Sequence, residues 1–277
     1  MVPSSPAVEW NWEPSVLVGL ALLQLGYGLA LRTWHRKSPL RAERGDNRRR
    51  AALFTLGTLI VGIALLSPLD ELGDRFLFSA HMLQHLILLL LGPLLWVIGL
   101  PPQLAKRASS NPAVRRALAF LTQPAAAAVI WSLAMWSWHW PTLFDGALQD
   151  ERVHILEHLT FMAAGVVGWW PAFGPRPAAN ESRPGLAPVL HMFAFSLSCT
   201  ALAALLTLSP VVLYTAYAHA PMAFGFTPLA DQQLGGLLMW LPGDMLVIGA
   251  AILALARWFG SGHERNGSPR TLALEVK

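Results

Sequence analysis

The sequence predicts an all-α, polytopic membrane protein, a bundle of about seven transmembrane helices. Two compositional observations and one pattern predict it. Of 277 residues, 54% are hydrophobic and only 13% are charged, where a soluble domain carries about a quarter charged residues. Several apolar runs approach or exceed the ~20 residues that cross a hydrocarbon core as a helix. The basic residues are confined to alternate connections between those runs, which is a topology signal. The net charge of +4 therefore calls for a lipid bilayer and no nucleic acid.

In chain order, the segment 1–14 is an outer N-terminal extension. It has no Lys or Arg ahead of the first apolar run, which is not the form of a cleavable signal peptide. Apolar runs punctuated by Pro, Gly and charge then predict helices over 15–32, 51–67, 77–100, 117–137, 154–174, 188–213 and 233–257, so that 15–257 forms one transmembrane domain. Residues 258–277 form a cytoplasmic tail. The connections 32–50, 101–116 and 175–187 and the tail from Arg257 hold eighteen Lys and Arg, and the other side has only Arg75 and Arg152. Cytoplasmic connections are the basic ones. The N-terminus is thus expected outside and the C-terminus in the cytoplasm of a bacterial plasma membrane.

The outer connections are acidic, with Asp70, Glu71, Asp74, Asp145, Asp150, Glu151 and Asp231 among them; such residues ordinarily keep a surface wet. Trp10, Trp12, Trp136, Trp138 and Trp140 fall where an interfacial aromatic belt lies. Cys199 is the single cysteine, which excludes disulfides and a multi-cysteine metal site.

Six of the nine histidines gather at the outer side. His81 and His85 open the third span, His139 closes the fourth, His154 and His158 open the fifth, and His219 lies in the last outer loop. Four-residue spacing stacks two side chains on one helical face, so one helix can supply two ligands to one ion. The motifs His-x-x-Gln-His and His-x-x-Glu-His also place Gln84 and Glu157 on those faces. Glu157 is a candidate ligand, or an acceptor that orients an imidazole. Met82 and Met222 are candidate soft ligands. A single interfacial histidine is ordinarily a hydrogen-bonding group; two i,i+4 pairs with further histidines at one face point to a metal. Imidazole donors suit copper, zinc and haem iron alike, so spacing leaves the metal open.

Asp244 falls near mid-membrane, where a carboxylate is either functional or a pairing partner. His191 belongs toward the cytoplasmic end of the sixth span, away from the cluster. The polar start Asp231-Gln-Gln is expected to cap its own helix.

Taken together, Ser79-Ala-His-Met-Leu-Gln-His85 running on to Pro93, Gly99-Leu-Pro-Pro102, His139-Trp-Pro-Thr-Leu-Phe-Asp-Gly, His154-Ile-Leu-Glu-His158 leading to Gly168-Trp-Trp-Pro171, and Asp231-Gln-Gln-Leu-Gly-Gly resemble the CtaG family of integral membrane proteins required for assembly of caa3-type cytochrome c oxidase. The resemblance covers roughly 50–257. It implies a seven-helix, non-enzymatic assembly factor whose partners are oxidase subunits and whose metal is copper. Two other readings remain beside it on the residues alone: a membrane redox protein with histidine-ligated haem, and an intramembrane zinc hydrolase using Glu157 as base.

Overall fold

A computed structural model describes residues 9–35, 41–103, 110–175, 187–220 and 224–266, and they form an all-helical bundle. Helices α1 (Pro14–His35) and α2 (Arg41–Leu66) lead into a short α3 (Pro68–Arg75). Then follow α4 (Phe78–Leu86), a π-helical turn (Ile87–Leu91) and α5 (Gly92–Gly99), a single apolar span broken only by its change of pitch. Next come α6 (Pro112–Leu121), α7 (Pro124–Trp138), α8 (Pro141–Gln149) and α9 (Glu151–Phe173). The last are α10 (Ala187–Leu208), α11 (Thr215–Ala218) and α12 (Pro228–Asn266).

Proline opens most of these helices because the first turn needs no N–H from it and its fixed φ suits the helix start. Ser67 caps α3, accepting from Leu69 N at 3.3 Å, and Asp150 caps α9, accepting from Arg152 N at 2.8 Å. At the far end of α5, Arg50 donates to the carbonyls of Ile98 and Leu100 at 3.2 and 3.1 Å, satisfying groups a helix end leaves open.

Five of the described helices are long and apolar enough to cross a membrane, six if α6 and α7 count as one span. Those two replace the continuous helix expected over 117–137 and meet at a 72° bend, where Thr122 and Gln123 separate a finished helix from the proline that starts the next. The fifth expected span, α9, is 23 residues long, but His154, Glu157 and His158 reduce its apolar character. The final helix continues past the expected boundary at 257 to Asn266.

Two close approaches position the helices that carry histidines. On α9, a Cβ at Gly165 would run into the Leu89 carbonyl and would lie 2.6 Å from Pro93 Cγ, so only glycine lets this helix press against the π turn. Trp169 on the same helix donates Nε1–H to the Leu90 carbonyl at 2.9 Å, supplying a partner where the widened turn disturbs the helical ladder. On α3, a Cβ at Gly73 would lie 3.0 Å from His81 Cα, and this brings α3 onto the start of α4.

Candidate metal centre

The start of α4 has no side-chain cap of its own. Asp231 of α12 supplies one, accepting from Phe78 N at 2.6 Å, Ser79 N at 3.2 Å and Ser79 Oγ at 2.5 Å. A carboxylate suits the positive end of a helix dipole. Asp231 therefore caps the helix that carries His81 and His85, and does not serve its own helix as the sequence led us to expect.

His81 and His85 pack ring to ring, with centroids 4.2 Å apart, as do His154 and His158 at 4.2 Å. The pairs face each other across the α4–α9 contact: the His81 ring lies 5.4 Å from that of His154 and 6.2 Å from that of His158. One ligand atom from each of His81, His154 and His158 falls within 4.8 Å of the others, and the same holds for His81, His85 and Glu157. The structure thus brings four of the five histidines and Glu157 into ion-sized groups.

His139 borders the site without joining either group. Its ring is 5.8 Å from that of His85, and its Nδ1 bonds the Met135 carbonyl at 2.7 Å. Gln84 faces elsewhere, donating to Asp70 Oδ1 at 2.7 Å and to the Ala64 carbonyl at 3.0 Å. Met82 is buried in an apolar cluster with Phe78 and Met135. His219 is exposed, and Met222 lies outside the described residues. Asp244 accepts from Ser196 Oγ at 2.8 Å and Thr200 Oγ1 at 2.6 Å, which ties α10 to α12. It sits thirteen residues along α12 from Asp231, about 20 Å at 1.5 Å per residue. His191 bonds the Gly168 carbonyl at 2.7 Å, likewise far from the cluster.

One site residue was missed by sequence reasoning. Asp74 Oδ1 lies 3.5 Å from His81 Nδ1 and 3.6 Å from His154 Nε2. Burial raises its carboxyl above the usual range, while His154 and Arg75 work against that shift. On the same short helix, burial and the Asp74 charge raise Asp70 to about 6.

Short helices and aromatic rings close this end of the bundle. Phe144 packs edge-on to the His81 ring with centroids 5.3 Å apart, and Phe161 lies 4.6 Å from His85. Tyr217 donates to the Gly73 carbonyl and Tyr214 to the His139 carbonyl, the latter at 3.0 Å. Asp145 caps α11 through Thr215 N at 3.1 Å and Ala216 N at 3.1 Å. Three of the acidic residues expected to wet an outer surface, Asp74, Asp145 and Asp231, are instead parts of the site and its walls.

Inside these walls, both ring nitrogens of His81 and His85, Nε2 of His139, His154 and His158, both Glu157 oxygens and Asp74 Oδ1 are buried without a hydrogen bond. At about 1–3 kcal/mol for each orphaned polar group, such a set would consume a typical stability of about 5–15 kcal/mol. Imidazole and carboxylate donors concentrated in this way are the donor set of a first-row transition metal, and the residues present fit one.

The chain is similar to Uncharacterized protein Mb0105 of Mycobacterium bovis, with 27% identity over 282 aligned positions that include 92% of this chain. It is also similar to Uncharacterized protein ML1998 of Mycobacterium leprae, with 26% identity and 91% of this chain included. It spans about 40% of the length of these relatives. No solved structure matches it. The model of the cytochrome c oxidase caa3 assembly factor family, Caa3_CtaG, matches residues 25–261, and the chain belongs to that family.

Proposed function

We propose that this protein is a non-enzymatic assembly factor that binds copper through His81, His85, His154, His158 and Glu157, with His139 and Asp74 alongside, and yields it to a subunit of a maturing cytochrome c oxidase. The observation that carries this reading is the concentration of buried, unpartnered imidazole and carboxylate atoms at one end of the bundle. The family supplies the context of oxidase assembly, and the oxidase supplies the reason for copper. The basic residues of the opposite connections favour placing the histidine end on the outer side of a bacterial plasma membrane.

The haem alternative is disfavoured by packing. Axial imidazoles flank a flat macrocycle, whereas these rings stand against one another and against Phe144 and Phe161. The hydrolase alternative is disfavoured by burial, since its general base Glu157 is 0% exposed and a substrate has to reach the base.

Elemental analysis with an absorption spectrum, on the wild type and a His81→Ala/His158→Ala variant, tests the reading. Copper in the wild type, its loss in the variant and no Soret band are expected. Equal copper in both proteins would overturn the assignment.

A further inference from the structure

The two ion-sized groups meet at one residue, because His81 belongs to both. Its Nδ1 faces Asp74 Oδ1 at 3.5 Å, the atom that also stands 3.6 Å from His154 Nε2. An imidazole directs its two nitrogens away from each other. Both groups therefore draw on this one ring, and in the second His85 Nε2 lies 3.6 Å from Glu157 Oε1.

A histidine that holds one metal ordinarily donates its other ring N–H to a carbonyl or carboxylate. His139 has such a bond, from Nδ1 to Met135 O. His81 has none on either nitrogen, although it is fully buried. His85 also leaves both nitrogens unpartnered, but only His81 falls in both groups.

Exposure differs between the groups as well. Asp74 and His154 side chains are 30% and 13% exposed, whereas those of His85 and Glu157 are 4% and 1% exposed. One group therefore reaches the rim of the site and the other is sealed beneath it. The rim group offers imidazoles alone, and the sealed group adds a carboxylate, whose charge would offset that of a buried cation; His81 would serve two ions at once only as the imidazolate, its ring proton passing to solvent.

We propose that the cluster has two metal positions joined through His81. The rim position is made by His81, His154 and His158 beside Asp74, and the sealed position by His81, His85 and Glu157. A cation is taken up at the rim, passes to the sealed position for holding, and leaves by the same way. The inference rests on the metal-binding reading above and deepens it.

The test is titration of the metal-stripped, detergent-solubilised full chain with Co(II), followed by its visible absorption and by metal content after desalting. Two ions per wild-type chain are expected. One each is expected in His158→Ala and in Glu157→Gln, the latter a change that preserves side-chain size. Weakening of both sites by at least tenfold is expected in His81→Ala, with circular dichroism confirming that each variant is folded. One ion in the wild type, lost equally in His158→Ala and Glu157→Gln, would overturn the shared-histidine arrangement and leave a single metal site standing. A wild-type chain that binds neither Co(II) nor copper would overturn the metal reading itself. The wild-type stoichiometry decides between one and two positions even if a variant fails to fold.

Discussion

Asp74 Oδ1 stands 3.5 Å from His81 Nδ1, joining a short helix outside the apolar spans to the buried histidine shared by both donor groups. The contact depends on Gly73, whose missing Cβ lets α3 lie against the backbone of His81. It gives the site a carboxyl group at its most exposed edge.

Replacing Asp74 with Asn keeps its size and removes its carboxyl group. Loss of a group standing beside metal-bound imidazoles typically weakens metal binding by about 10–100-fold. Asp74→Asn is expected to fall in that range in a competition titration against a chelator, and Glu151→Gln, on an exposed residue of α9, is expected to change nothing.

Asp231 acts on the fold. Its removal in Asp231→Ala leaves the N–H groups of Phe78 and Ser79 without their acceptor, a loss of about 1–3 kcal/mol. A lower melting temperature in metal-free protein is the expected readout. An unchanged melting temperature would show that α4 finds another cap.

Gly165→Ala touches no histidine. Its Cβ would meet the Leu89 carbonyl and Pro93, and overpacking of this kind costs about 1–3 kcal/mol. Because the contact sets the distance between the two histidine pairs, metal affinity is expected to fall together with thermal stability. Gly146→Ala, where a Cβ meets nothing within 4 Å, is the matched control.

Asp70 carries a pH dependence. Its folded pKa is raised from 3.8 to about 6, chiefly by burial. The folded state therefore holds a proton that the unfolded state has released, and stability falls as pH rises through this interval. Asp70→Asn can still accept from Gln84 and does not titrate. Urea unfolding of both proteins at steps between pH 4 and 6 should show a smaller loss of stability in the variant.

Much of the architecture is legible in the sequence because long apolar runs leave little choice of structure. Helical spacing alone places the two imidazoles of each i,i+4 pair on one face. The bend before Pro124 was legible in principle, since a proline after Gln123 marks a helix start, but the apolar runs on both sides hid it. The short helices α3 and α8 also have proline starts, at Pro68 and Pro141, within stretches too short and polar to stand out. Asp74 and Asp231 lie beyond such reasoning. Their roles arise from contacts between different helices, one across Gly73 and the other across 152 residues of chain. Gln84 misled because sharing a helical face with two histidines does not decide which neighbour a side chain meets; here that neighbour is Asp70.

X-ray absorption at the metal edge of the copper-loaded full chain reads the ligand atoms themselves. A coordination sphere of nitrogen and oxygen with the outer-shell scattering of imidazole rings is expected, lost in the His81→Ala/His158→Ala variant. A sphere dominated by sulfur, from Met82 or Cys199, or one unchanged in that variant, would contradict that expectation.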